Sequence, residues 1–244
     1  MSEAFVSEIY ASVQGEGPFT GERQIFVRLA GCPLRCSYCD TPGSLVARGH
    51  ERLSDADAFR RIMKLAGRGG RRIRSVAVTG GEPLAQHGFL SDLLSRLKKK
   101  GFRVYLETAG VMPERLAKVI DDCDVVSMDI KLPSATGRAY WNEHRRFLDV
   151  AGAKAFAKMV VERRSKPAEV SAAVRLLARM RRPPLLIIQP ASAMPATAIP
   201  FGSSTTKGAD APTAEQVAEA YAFAKKRLPD VLVMPQQHKI WGVP

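Results

Sequence analysis

Short apolar runs alternate with amphipathic stretches from residue 24 to residue 233, and that alternation leaves little choice of architecture. Residues 24–30 (QIFVRLA), 75–79 (SVAVT), 103–107, 124–130, 155–161, 185–188 and 231–233 read as strands. Between them apolar residues return at helical spacing. Ser54 opens one helix with Asp57 as a weak capping partner; Phe59, Ile62, Met63 and Ala66 form its apolar face, and Gly67 ends it. Phe89, Leu90, Leu93, Leu94 and Leu97 mark a second helix over 86–100, closed by Gly101. Further helices are predicted over 113–121, 138–150, 167–180 and 213–228. Crossover helices join parallel strands, so the chain is read as α/β with a mostly parallel sheet, open or closed into a full or partial barrel. In each of these forms ligands gather at the C-terminal ends of the strands. Cys32, Gly80-Gly81-Glu82, Glu107-Thr108, Asp129, Lys131 and Gln189 all follow strand ends, which points to one shared site.

Composition narrows the class. The chain is 45% hydrophobic and 25% charged, a globular balance that argues against a disordered protein. Its 244 residues suit a single domain over 1–244. The apolar runs are too short to span a bilayer, and residues 1–20 lack the basic start and apolar stretch of a secretory leader. The expected setting is therefore the cytoplasm, away from membranes. Lys and Arg total 37 against 24 Asp and Glu, a net +13. The excess is scattered, mostly near predicted helix C-termini, and no helix-turn-helix or aromatic RNA motif accompanies it. It reads as solvated surface, with no direct nucleic-acid binding expected. Residues 190–212, with four Pro and many small polar residues, read as a mobile insertion.

Three of the four cysteines crowd into Cys32-Pro33-Leu34-Arg35-Cys36-Ser37-Tyr38-Cys39. In a reducing compartment such a cluster binds metal or does redox chemistry rather than forming structural disulfides. Three thiolates on one tight loop suit a [4Fe–4S] cluster with one iron open to an outside ligand. A zinc site is the alternative, with His50 as the nearest candidate for a fourth ligand. Cys123 follows an apolar helical set and reads as a buried free thiol.

The C-x3-C-x2-C spacing with Tyr38 before the last cysteine resembles the radical S-adenosylmethionine superfamily. That resemblance implies a partial (β/α)6-type barrel, a [4Fe–4S] cluster on Cys32, Cys36 and Cys39, and S-adenosylmethionine cleaved to a 5′-deoxyadenosyl radical. Gly80-Gly81-Glu82-Pro83 after a strand resembles the superfamily's second element. Its glycines let backbone approach the cofactor, and Glu82 is expected to accept hydrogen bonds from the methionyl ammonium. Gln14-Gly15-Glu16-Gly17, Arg28, Cys39-Asp40-Thr41, Leu106-Glu107-Thr108, Gln189-Pro190 and the ending from Gln236-Gln237-His238-Lys239 to Pro244 are together similar to the 7-carboxy-7-deazaguanine synthase family. Ala109 stands where that family often has Asn, Gln237 where Thr is frequent, and the 190–212 segment is longer than usual.

The resemblance implies ring contraction of 6-carboxy-5,6,7,8-tetrahydropterin to 7-carboxy-7-deazaguanine with loss of ammonia, in the queuosine and 7-deazapurine pathway. Gln14, Glu16, Arg28, Gln189, His238 and the terminal carboxylate of Pro244 would bind the pterin, with Glu16, Arg28 and His238 closest to the chemistry. Arg28 suits the substrate carboxylate because an unpaired cation in the apolar run QIFVRLA would otherwise be costly. Tyr38, Gly80, Gly81, Glu82, Glu107, Ser127 and Lys131 would contact S-adenosylmethionine. Asp40 and Thr41 offer hard oxygens for Mg2+, Thr41 as the direct ligand. A flavodoxin- or ferredoxin-type reductant and a homodimer complete the implied picture. Two rivals share the cysteines: an activating enzyme for a glycyl-radical partner, and a non-catalytic zinc or RNA-binding protein.

Overall fold

The computed structural model of the chain describes residues 2–67, 72–197, 199 and 206–243. Its strands are β1 (Glu3–Val13), β2 (Arg23–Leu29), β3 (Glu51–Ser54), β4 (Ser75–Gly80), β5 (Arg103–Thr108), β6 (Val125–Ile130), β7 (Ala155–Val161), β8 (Leu186–Pro190) and β9 (Val231–Val233). Its helices are α1 (Asp55–Ala66), α2 (His87–Lys99), α3 (Pro113–Leu116), α4 (Pro133–Thr136), α5 (Trp141–Ala151), α6 (Pro167–Ala178), α7 (Ala214–Lys225) and α8 (Gln237–Trp241). The nine strands of the described residues join one sheet in the order β3-β1-β2-β4-β5-β6-β7-β8-β9. From β2 onward the neighbours pair in parallel, as the crossover pattern requires. The outermost strands β3 and β9 do not pair with each other, so the barrel is partial, open on one side.

Five elements depart from the sequence reading. β1 and β3 were not expected: they run antiparallel on the β2 edge and carry charged residues at exposed positions. α8 was not expected either. The helix expected over 113–121 is one turn, because the chain leaves helical angles at Val119 (φ −131°) before a separate turn at Ile120–Asp122. The helix expected from 138 begins at Trp141, with Tyr140 still non-helical at φ −118°.

Alternation along the strands sorts residues into two faces. Ile25, Val27, Leu29, Val76, Val78, Val104, Leu106, Val126, Met128, Ala157, Met159, Leu186 and Ile188 point outward under the helices and form the main core. The helices meet them with stripes such as Phe89, Leu90, Leu93, Leu94 and Leu97 of α2, all fully or almost fully buried. Truncating one of these, Leu93→Ala, costs about 2–5 kcal/mol by the usual cavity cost. Cys123 is buried in this core, as expected.

The inner face begins with a second apolar layer of Phe26, Ala77, Tyr105, Val125, Phe156 and Ile187. Two residues further along the same strands, the side chains turn polar: Arg28, Thr79, Glu107, Ser127, Lys158 and Gln189. Register makes them neighbours. Arg28 is level with Thr79, Glu107 with Ser127, and Asp129 with Lys158. An apolar floor with a polar layer above it, at the C-terminal ends of parallel strands, is what positions the site. No helix of the described residues is long and apolar enough to cross a membrane.

Of the segment expected to be a mobile insertion, Ala198, Pro200 and residues 201–205 lie outside the described residues. The described flanks pair with each other, Met194 with Ala209 and Thr197 with Thr206.

Candidate active site

The polar layer lines a cavity of about 430 Å³ together with Cys32, Cys36, Tyr38, Cys39, Asp40, Thr41, Gly80, Gly81, Gln14, Glu16, Gln236 and His238. The cysteine loop leaves the end of β2. Gly31 N–H donates to Ser44 O and Cys32 N–H to Leu45 O, while Leu34, Cys36 and Ala109 pack beneath it. Burial pushes the Cys32 thiol up to about 12, with the charge of Glu82 adding to it, and burial likewise raises Cys36 and Cys39. These thiols stay protonated until a metal displaces the protons.

The donor set fits an iron–sulfur cluster better than one zinc ion. Among the described residues, the one group of three His, Cys, Asp or Glu donors whose ligand atoms all lie within 4.8 Å is Glu16, Asp40 and His238. The three sulfurs are spread more widely than a single ion would draw them. His50 is not on the cavity wall; its ring is hydrogen-bonded with Gly43 O at 2.8 Å. Cys123, in the core, donates to Val119 O.

Gly80 and Gly81 line the cavity, and their lack of side chains is first a packing requirement. A Cβ on Gly80 would lie 2.1 Å from Leu29 O, and one on Gly81 2.3 Å from Gly31 O. Gly81 N–H donates to Leu29 O and Glu82 N–H to Gly31 O, so the turn is sewn onto the end of β2. Glu82 differs from the expectation. It is fully buried and off the cavity wall, and its carboxylate accepts from Leu84 N–H, Thr108 Oγ1 and Ala109 N–H. Its oxygens support the wall from behind, tying the glycine turn to the end of β5, and burial raises its pKa. Ala109, in place of the family's frequent Asn, contributes its backbone N–H to that support.

Arg28 lines the cavity as expected, but the premise of an unpaired cation is corrected. It donates to Glu8 Oε1 at 2.6 Å and to Tyr10 OH at 2.6 Å, both on β1, the strand the sequence reading lacked. Glu16 is ringed by donors. Lys158 Nζ reaches its Oε2, and Gln236 and Gln189 donate to its Oε1 at 2.8 and 3.3 Å. Burial is the largest single influence and would raise its carboxyl, but the charge and hydrogen bond of Lys158, with the Gln236 hydrogen bond and the His238 charge, together outweigh it and hold the carboxyl well below the usual range. Glu107 accepts from Gln14 at 2.9 Å and Thr79 at 2.8 Å; burial and the nearby Glu16 charge push its carboxyl up.

On the cofactor side expected from the sequence, Lys131 donates to Asp129 at 2.6 Å and to Tyr38 OH at 3.4 Å, with its ammonium 5.1 Å from the Tyr38 ring centre. Ser127 is beside them on the wall. Asp40 accepts from Gln236 at 2.9 Å and has Lys239 at 3.5 Å. Thr41 lies beside the Cys39 sulfur, where its N–H and hydroxyl partly offset the rise that burial imposes on that thiol. His238 comes from α8, docked on the Gln14-Gly15-Glu16 turn by Gln237 N–H to Gly15 O at 2.9 Å. Gly15 is needed there, since a Cβ would sit 2.5 Å from His238 Cβ. Pro244 lies outside the described residues. Asp129 and Gln236, read from the sequence only as a strand-end residue and as part of the terminal motif, belong to the same wall, and so does Lys158, which was not singled out from the sequence. Lys158 carries the signal that singled out Arg28, one cation inside an apolar strand (AFAKMVV).

This fold and this donor set define a class. The family model described as the Radical SAM superfamily matches residues 27–185, and the chain is a member of that superfamily. It is 35% identical to the 7-carboxy-7-deazaguanine synthase of Geobacter sulfurreducens, over 98% of this chain and 97% of the relative. It is 33% identical to that of Methanopyrus kandleri, over 96% and 92% of the two chains. The chain belongs to the 7-carboxy-7-deazaguanine synthase family. The crystal structure of QueE from Escherichia coli shares the fold, with a TM-score of 0.62 and 24% identity over 97% of this chain and 95% of that one.

Proposed function

We propose that the chain contracts the ring of 6-carboxy-5,6,7,8-tetrahydropterin to 7-carboxy-7-deazaguanine with loss of ammonia, as a step of 7-deazapurine biosynthesis. The observation that carries this reading is the meeting, in one cavity, of the three-cysteine loop with an ionised Glu16 and an anchored Arg28. When bound, a [4Fe–4S] cluster and S-adenosylmethionine supply the radical chemistry, which no protein side chain here offers. Cys32, Cys36 and Cys39 would hold the cluster, and Tyr38, Gly80, Gly81, Ser127, Lys131 and Glu107 would border the cofactor.

The chain's own work is binding and orientation. Glu16, held ionised by Lys158, accepts from the N–H groups of the pterin ring. Arg28, fixed by Glu8 and Tyr10, presents its guanidinium to the substrate carboxylate. Gln14 and Gln189 complete the polar edge, and His238 closes over it. The apolar floor of Phe26, Tyr105 and Phe156 keeps water from the opposite face. We place Mg2+ at Asp40 and Thr41; the proximity of Glu16, Asp40 and His238 supports a hard-cation site there. We also assign a flavodoxin- or ferredoxin-type reductant, attracted by the +13 charge, and a cytoplasmic homodimer.

Anaerobic binding of the pterin, followed by calorimetry, tests the recognition. Glu16→Gln and Arg28→Ala should each weaken binding roughly tenfold or more, the scale of a lost charge-assisted hydrogen bond. Unchanged affinity in both variants would remove the pterin from this cavity.

A further inference from the structure

Glu162 is the next inward-facing residue of the β7 chain after Lys158 and Val160, and it lies beyond the cavity wall. It is fully buried. A buried carboxylate needs partners, and the partner it has is informative: Ser37 Oγ donates to its Oε1 at 2.6 Å. Ser37 is the residue immediately after Cys36 in the cysteine loop, itself buried, with its N–H donating to Ala135 O at 3.0 Å. The other carboxylate oxygen, Oε2, is buried without a hydrogen bond and has Arg164 Nε at 3.4 Å. Arg164 in turn donates to Gly208 O at 2.8 Å, at the base of the 190–212 segment. Arg163 reinforces that base through its N–H to Asp210 O at 3.0 Å. On its own side the turn holding Glu162 is closed by Glu162 N–H to Ser165 Oγ at 3.0 Å and Ser165 N–H to Glu162 O at 2.9 Å.

We infer that Glu162 is a positioning residue for the cysteine loop: through Ser37 it fixes the stretch between Cys36 and Cys39, and through Arg164 it ties that stretch to the base of the 190–212 segment. Ser37 cannot move without breaking a 2.6 Å bond inside the protein, where no water replaces it. The spacing of two of the three cluster thiolates is thereby set by a residue more than a hundred positions away. Partners that orient ligands in this indirect way change metal affinity by roughly ten- to a hundredfold when removed. The inference rests on the three cysteines holding a [4Fe–4S] cluster.

The test uses the whole chain, reconstituted anaerobically, and reads the rate at which an iron chelator bleaches the cluster, together with the electron paramagnetic resonance spectrum of the reduced form. Glu162→Ala is expected to lose its cluster roughly tenfold faster than wild type and to show a shifted spectrum. Ser37→Ala should do the same, and the double variant should add nothing further, because both remove one interaction. Glu162→Gln keeps an oxygen for Ser37 and should stay close to wild type. Leu93→Ala, destabilised in the remote core, should leave the native cluster's spectrum and loss rate unchanged, which separates positioning from general stability. If Glu162→Ala fails to fold, Ser37→Ala and its spectrum carry the test. A wild-type loss rate in both single variants, or additive losses in the double, would overturn the inference alone. Wild-type protein that takes up no cluster would overturn the reading beneath it as well.

Discussion

Lys158 of β7 and Glu16, the residue ahead of the first turn after β1, form an ion pair across the cavity although they stand 142 positions apart, with side chains only 13% and 14% exposed. Asp129 adds a second acid 3.9 Å from the same ammonium. Removing the cation leaves two acids without it. Lys158→Met should destabilise the protein by about 3–5 kcal/mol, the cost of stranding a buried charge. Urea unfolding at neutral pH measures it. Pterin KM should rise in parallel, since Glu16 is then driven toward its neutral form and accepts more weakly.

The pair also sets a pH window. Glu16 has its folded pKa below the ordinary 4.5, so its contribution is present above 4.5 and is lost as pH falls through the lowered value. Lys158 has its folded pKa raised above 10.5, so its contribution is present below 10.5 and is lost only as pH rises through the raised value. The pair's contribution to wild-type stability should therefore be flat from about pH 5 to 10 and fall away at both extremes, which urea midpoints taken across that range measure.

His144 gives a sharper acid signature. It is fully buried in α5, its Nε2 receives Lys131 N–H at 3.5 Å, and burial pulls its pKa down to about 3. The folded state thus refuses a proton that the unfolded chain takes up near 6.5, and stability falls as pH drops through that interval. Between pH 7 and pH 5 this one residue should remove about 2 kcal/mol. Comparing the pH dependence of urea midpoints in wild type and His144→Gln checks it: the variant should lose that component of the slope.

Two glycines make a paired prediction. Gly81→Ala drives a Cβ into Gly31 O and Ser44 O, both backbone, and should cost about 1–3 kcal/mol while pushing the cysteine loop from its place. Gly88→Ala, in the first turn of α2 with nothing within 4 Å of the new Cβ, should stabilise by about 0.4–1 kcal/mol. Thermal unfolding of the two variants against wild type decides both.

Legibility in the sequence followed the range of the interactions. The seven parallel strands were readable because each is a short apolar run ending at a turn, and α1, α2, α6 and α7 because their stripes and caps are local, as where Ser54 accepts from Asp57 N–H at the start of α1. β1 was not readable: on the antiparallel edge its EAFVSEIYASV mixes charge with half-buried apolar residues, and its register shifts between Val6 and Glu8. The same gap hid the partners of Arg28, since Glu8 and Tyr10 sit on that strand. Motif resemblance brought together most of the wall, from Gln14 to His238. It did not reveal Lys158, whose pairing with Asp129 comes from register across β6 and β7, nor that Glu82 supports the wall from behind.

Magnesium dependence should trace to Asp40. Its carboxylate is about one-third exposed, so Asp40→Asn should leave the urea midpoint nearly unchanged. The same variant should raise the Mg2+ concentration needed for half-maximal turnover roughly tenfold or more, and chelation with EDTA should slow the wild type. Equal Mg2+ requirements in variant and wild type would move the cation elsewhere.

The most direct measurement is anaerobic turnover. Protein reconstituted with iron and sulfide, reduced, and supplied with S-adenosylmethionine, 6-carboxytetrahydropterin and Mg2+ should yield 7-carboxy-7-deazaguanine by mass spectrometry, and Cys36→Ala should yield none. A reconstituted wild-type protein that cleaves S-adenosylmethionine yet leaves the pterin intact would contradict the account.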